Sequence, residues 1–138
     1  MAEARESFAR WAGIQRVRAA DGRSEVRLAI GPAHKNELGI VHGGVIMALA
    51  DEAIGMAALS AVPPGTAVVT AELHVHFLVP AREGTLVALG RVWRAGRRLV
   101  TGEAVVELHG AAGQVVEVAR ATGTWATVTP DVPLPSSG

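Results

Sequence analysis

The sequence contains no cysteine, which excludes disulfide bonds, thiolate nucleophiles and cysteine-ligated metal sites. Net charge is also absent, because 13 basic residues balance 13 acidic ones over 138 residues. No long-range field therefore gathers nucleic acid or an anionic membrane, and we expect neither as a partner. The first eleven residues lack the apolar segment of a secretory signal, so a cytoplasmic location is expected.

Two common catalytic motifs are missing as well. There is no G-x-S-x-G segment for a nucleophilic serine and no glycine-rich phosphate loop. His74 and His76 share one face of a predicted strand, but no third ligand follows at a fitting spacing. We therefore predict no bound metal and no cofactor.

Apolar residues make up 49% of the chain and charged residues 19%, as expected for one globular domain with a sizeable core. The longest apolar stretch, residues 38–62, carries Asp51 and Glu52 at its middle. An aspartate at a bilayer centre costs about 2.5–3.5 kcal/mol on insertion scales. A buried helix therefore fits this stretch better than a membrane span.

Hydrophobic periodicity and turn residues predict the order of elements. A short helix is expected at residues 4–12 and a long one, apolar nearly all round and buried on most faces, at 43–61. Between them, alternation predicts a β-hairpin that turns at Asp21-Gly22. The predicted strands are 14–20, 24–30, 67–79, 85–94, 98–109 and 114–127. Strict alternation places Leu73 and Thr70 on opposite faces of the third of them.

This order predicts an α+β domain over residues 1–128, with one antiparallel sheet wrapped around one long helix. The Pro- and Ser-rich residues 129–138 are expected to form a flexible tail. One helix covers a sheet face incompletely and leaves strand edges unpaired, so pairing with a second copy is expected.

Candidate chemistry is concentrated where the long helix begins. Gly43 and Gly44 let another molecule approach the backbone, and the first amides of a helix are unpaired donors at its positive end, which suits an oxyanion. Asp51 follows about two turns later, so its carboxylate is expected to share a pocket with these amides. A buried carboxylate needs partners, and Asn36 is expected to be one. Taken singly, the glycines favour a tight helix start over function, and Asp51 fits a solvated position as well as a functional one. Together these residues favour function.

These residues carry a resemblance. The pattern N-x5-H-G-G-x6-D, with ALAD around Asp51, resembles the signature of thioesterases of the phenylacetate-degradation (PaaI) type. The likeness continues through HFLVPAREGTLVALGRVWRAGRRLVTGEAVV and covers residues 25–128. It implies a hotdog fold and hydrolysis of an acyl- or aryl-CoA thioester, with coenzyme A as part of the substrate. It also implies a homo-oligomer, a dimer that pairs into a homotetramer, with active sites at the dimer interface.

The resemblance also implies roles for single residues. Asp51 matches the catalytic carboxylate, acting as general base or as nucleophile. Gly43 matches the amide that polarises the thioester carbonyl, and Gly44 lies beside it in the substrate-binding segment. Asn36 matches a residue that positions water or substrate, and His42 would support the turn.

Two further assignments concern side chains near the carboxylate. Thr70 matches a position where a hydroxyl from the opposite subunit assists the attacking water. Glu52 is a second candidate carboxylate, because related branches use glutamate. The spacing from His42 selects Asp51, and Glu52 is expected to face a partner or solvent.

A predicted hairpin tip carries Arg94, Arg97 and Arg98, whose guanidinium groups suit the nucleotide phosphates of coenzyme A. They equally suit an ordinary solvated hairpin. Two other functions stay open: a non-catalytic acyl-CoA-binding hotdog protein, and a hotdog hydratase in which His42 joins an acid–base pair.

Overall fold

The computed structural model describes residues 6–129. The first two residues of the helix predicted at 4–12 lie outside that range. The predicted tail, 129–138, lies outside it except for its first residue. The described elements follow the predicted order closely. They are α1 (Phe8–Ala12), β1 (Gln15–Ala20), β2 (Arg23–Ala29), a 3₁₀ turn (Pro32–His34), α2 (Gly43–Ala61), β3 (Ala67–Phe77), β4 (Thr85–Ala95), β5 (Leu99–His109) and β6 (Val115–Val128).

The six strands form one antiparallel sheet in the order β1-β2-β4-β5-β6-β3. Helix α2 packs against one face of this sheet and contacts all six strands. The predicted α+β hotdog architecture is therefore confirmed. Strands β1 and β3 are the two edges of the sheet.

The turn between β1 and β2 shows why the first hairpin forms where predicted. Asp21 and Gly22 both adopt positive φ, 52° and 77°. Two consecutive left-handed residues match the right-handed twist of the flanking strands, as in a type I′ turn. The Asp-Gly pair therefore fixes the register of this hairpin.

Helix α2 begins and ends at the predicted residues. Its buried face is mostly alanine, which lets the backbone approach the sheet closely; the buried residues are Ile46, Leu49, Ala50, Ala53, Ile54, Ala57 and Ala58. The opposite face is apolar but open, since Met47 is 39% and Leu59 46% exposed. The predicted burial is therefore complete towards the sheet and partial on the opposite side, where Gly44, Met47 and Leu59 are the exposed residues of the helix. By length and composition α2 could cross a membrane, but core helices of soluble folds pass the same test.

Strand β3 contains an irregularity that alternation did not predict. Thr70 pairs with Trp125 and Glu72 with Thr124, so Ala71 forms a β-bulge. The extra residue shifts the alternation by one position. Thr70 and Leu73 consequently both face α2, and their predicted placement on opposite faces is wrong.

Candidate active site

The carboxylate of Asp51 is held by a hydroxyl from the neighbouring strand. Thr70 Oγ1 donates to Asp51 Oδ1 at 2.6 Å, which the bulge at Ala71 makes possible by turning Thr70 towards α2. The resemblance implied a hydroxyl from the opposite subunit, whereas Thr70 of the same chain makes this bond. One carboxylate oxygen is thus fixed, and Oδ2 is left to meet water or substrate.

Asp51 and Thr70 border a cavity of about 210 Å³. Its other walls come from β1, α2, β3 and β6; they are Arg16, Glu52, Gly55, Met56, Leu59, Val68 and Trp125. Arg16 and Trp125 were not predicted as site residues. An exposed strand arginine and a single buried tryptophan are both common outside sites, so neither carried a signal in the sequence.

Glu52 is occupied by an ion pair within the chain. Arg16 Nε donates to Glu52 Oε1 at 2.6 Å. Only 20% of the Glu52 side chain is exposed. In the single chain Glu52 therefore faces Arg16 more than solvent, and its predicted contact with a partner stays a prediction. Two carboxylates line the cavity. Glu52 is paired with Arg16, whereas Asp51 has no cationic partner among the described residues.

At the start of α2 the amides of Gly43 and Gly44 differ in their hydrogen bonding. His42 Nδ1 accepts from the Gly44 amide at 2.9 Å, so His42 caps the helix and supports the turn as predicted. The Gly44 amide is consequently not available to a ligand. Within residues 6–129, the Gly43 amide has no hydrogen-bond partner. The ring of Phe77 packs beside it, 3.4 Å from where a Gly43 side chain would begin.

Asn36 shapes its own loop. Its Oδ1 accepts from the amides of Leu38, at 2.9 Å, and Ile40, at 3.2 Å. No hydrogen bond joins it to Asp51 in the described part of the chain, so its predicted role as partner of that carboxylate is wrong for the single chain. The loop that Asn36 orders leads directly into the start of α2.

The predicted common pocket for the Gly43 amide and the Asp51 carboxylate does not form within one chain. Eight residues separate them on a regular helix, which corresponds to about 12 Å along its axis. A carbonyl oxygen must lie about 3 Å from an oxyanion donor. One thioester cannot span both groups of the same chain.

The three arginines of the hairpin tip lie near the other end of α2. Arg94, Arg97 and Arg98 are exposed around the β4–β5 connection. Arg97 lines a cavity of about 420 Å³ together with Ala61 at the last turn of the helix. The full length of α2, about 28 Å, separates this tip from Gly43. Within one chain the arginines therefore do not approach the unpaired amide.

A second ion pair lies on the sheet face that points away from α2. Arg120 donates to Glu117 in β6. The hydrogen bond and charge of Arg120 lower the pKa of the Glu117 carboxyl, and the same bond raises the pKa of Arg120. This exposed pair takes no part in the cavity and offers a reference for the Arg16–Glu52 pair.

Comparison with known proteins shows which family and which relatives the chain resembles. The model of a family described as the thioesterase superfamily matches residues 38–110, which include Asp51 and Thr70. A protein of Saccharolobus solfataricus, named as a candidate esterase, is 40% identical over 89 residues. That match covers 63% of this chain, and the chain spans only 55% of that relative's length.

Two solved structures are similar over most of the chain. One is the PaaI protein from the phenylacetic acid degradation operon of E. coli, 25% identical, with a TM-score of 0.76 and coverage of 87% of this chain and 83% of that one. The other, from Bacillus halodurans, was solved with CoA; it is 33% identical, with a TM-score of 0.74 and coverage of 88% and 75%.

Proposed function

The chain belongs to the thioesterase superfamily, and we propose that it hydrolyses acyl-CoA thioesters to a free acid and coenzyme A with Asp51 as the catalytic carboxylate. The observation that carries this proposal is the bond from Thr70 to Asp51 at the border of an open cavity. That bond orients a carboxylate that no cation among residues 6–129 neutralises. The CoA present in the similar Bacillus halodurans structure supports coenzyme A as the carrier.

The chemistry follows from the positions of the groups. Asp51 Oδ2 takes a proton from a water that attacks the thioester carbon, or attacks that carbon itself to give an anhydride that water then opens. In both routes negative charge develops on the carbonyl oxygen, and an unpaired amide such as that of Gly43 stabilises it. Collapse of the tetrahedral intermediate breaks the carbon–sulfur bond and releases CoA as thiolate.

We propose that the reacting groups come from two copies of the chain. The distance of about 12 Å along α2 prevents one copy from supplying both Asp51 and the Gly43 amide. The open apolar face of α2 and the unpaired edge of β3 offer a surface that a second copy would cover. A two-fold arrangement brings the start of each α2 towards the middle of the other. Asn36, which orders the loop before α2, and His42, which caps the helix, would then hold the Gly43 amide in position.

The hairpin arginines fit the same arrangement. Arg94, Arg97 and Arg98 are far from Gly43 of their own chain. They would therefore contact the phosphates of a CoA molecule whose thioester lies at Gly43 of another copy. Further pairing of dimers into a tetramer would bring such a tip near a neighbouring site. Guanidinium groups bind phosphate through paired hydrogen bonds, which favours this role.

Release of free thiol tests the proposal directly. A panel of aryl-, short- and medium-chain acyl-CoAs is offered to the wild-type protein and to Asp51→Asn. We expect thiol release by the wild type and a loss of about a hundredfold or more in the variant, the range of general acid–base catalysis. Binding without thiol release would instead indicate an acyl-CoA-binding protein. An enoyl-CoA is included in the panel, and addition of water to its double bond with the thioester intact would indicate a hydratase.

A further inference from the structure

Trp125 places a polar atom in the Asp51 cavity. Its side chain is buried, with only 2% of the residue exposed. Nevertheless, no hydrogen bond joins the indole Nε1 to any residue between 6 and 129. No side-chain nitrogen or oxygen in that range is both fully buried and unpaired. The indole N–H must therefore face a space that solvent reaches.

The cavity is that space. Trp125 lines it together with Gly55, and a Cβ placed on Gly55 would lie 3.3 Å from Nε1. The absence of a side chain at Gly55 thus leaves the N–H uncovered. Trp125 also pairs across the sheet with Thr70, which binds Asp51. The free donor and the carboxylate consequently belong to one small compartment.

We propose that Trp125 determines acyl specificity by donating a hydrogen bond from its indole N–H to an oxygen of the acyl group. The inference rests on the proposed function, because Asp51 marks where the thioester carbon reacts. Among the other walls of the compartment, Met56, Leu59 and Val68 are apolar, and the Arg16–Glu52 ion pair forms the polar part. An acyl chain that brings a carbonyl, ether or hydroxyl oxygen to Trp125 satisfies the donor, whereas a purely alkyl chain leaves it unpaired.

The position of the oxygen on the acyl chain follows from the helix. Gly55 lies one turn beyond Asp51, about 6 Å along the axis. An extended acyl chain covers that distance between its thioester carbon and an oxygen on the fifth carbon. 5-Oxohexanoyl-CoA and hexanoyl-CoA therefore form a matched pair of probes, equal in chain length and differing in one acceptor.

The test compares kcat/KM for these two substrates. A buried donor left without a partner is costly, so we expect the wild type to prefer the oxo substrate by about tenfold or more. Trp125→Phe keeps most of the ring but removes the N–H. It should bring the ratio of the two kcat/KM values close to unity, chiefly through loss on the oxo substrate.

A second variant guards against a folding defect in Trp125→Phe. Gly55→Ala places a methyl group against Nε1 and raises helix propensity, so it covers the donor without removing the tryptophan. It should also abolish the preference. Trp93→Phe, at a half-exposed tryptophan on β4, is the matched control and should leave the ratio unchanged.

The outcomes separate this inference from the proposed function. If the wild type hydrolyses hexanoyl-CoA as well as the oxo substrate, or if both variants keep the preference, the role of Trp125 is refuted while thioester hydrolysis stands. If neither CoA ester nor the wider panel is hydrolysed, the proposed function fails and this inference fails with it.

Discussion

Thr70 and Asp51 are joined by a 2.6 Å hydrogen bond within a single chain, from the hydroxyl of one to the carboxylate of the other. The bond depends on the bulge at Ala71, which turns Thr70 towards α2. It holds one oxygen of Asp51 at the border of the cavity and leaves the second without this donor. The orientation of the carboxylate is therefore complete before any second copy binds.

This relationship predicts the behaviour of two Thr70 variants. Thr70→Val keeps the shape of the side chain but removes the donor. A hydrogen bond to a charged group contributes about 1.5–3 kcal/mol, so we expect kcat/KM to fall by roughly ten- to a hundredfold. Thr70→Ser keeps the hydroxyl and should retain most activity. Equal activity in the valine and serine variants would show that this bond does not serve the reaction.

The pairing of Glu52 with Arg16 predicts that Glu52 is not the catalytic carboxylate. The ion pair is partly exposed, and such pairs contribute about 0–1 kcal/mol, so Glu52→Gln should keep activity within about fivefold of the wild type. Arg120→Gln breaks the reference pair on the far sheet face and should leave activity unchanged. A loss in Glu52→Gln as large as that in Asp51→Asn would transfer the catalytic role to Glu52.

The cap formed by His42 predicts an effect on stability. His42→Ala leaves the Gly44 amide without its acceptor, which should lower the free energy of unfolding by about 0.5–2 kcal/mol. His42→Asn supplies another capping side chain and should recover most of the loss. Denaturant unfolding measures both, with Arg120→Gln on the far sheet face as the control. An alanine variant as stable as that control would contradict the role of the cap.

Much of the fold was predictable because proline and glycine residues mark the turns and the helix end clearly. Pro63-Pro64-Gly65 ends α2, and Asp21-Gly22 sets the first hairpin turn through two positive φ angles. Apolar alternation located every strand to within a few residues. The bulge at Ala71 was not predictable, because no residue type in β3 marks it. It places Thr70 and Leu73 on the same face of the sheet, whereas strict alternation predicts opposite faces.

The candidate site was predictable only in part. The spacing from His42 identified Asp51 as a candidate, and His42, which was expected to support the turn, caps the start of α2. The partners of these groups depend on three-dimensional proximity: Arg16 reaches Glu52 from 36 residues away, and Asn36 binds its own loop. The distance between Gly43 and Asp51 was predictable from the rise of the predicted helix, but the expectation of a shared pocket considered only the helix face on which both residues lie.

Complementation between two inactive variants tests the central claim, that Asp51 of one copy acts with the Gly43 amide of another. Asp51→Asn keeps the amide. Gly43→Pro removes it at the first helical position, where proline is tolerated. Each variant alone should be nearly inactive.

The two variants are then unfolded together, refolded as an equal mixture, and assayed for thiol release from an acyl-CoA. If each site combines both copies, random pairing restores about a quarter of the sites, and activity should rise to about that fraction of the wild type. Activity that stays at the level of the separate variants, although mixed oligomers form, would contradict a site shared between two chains.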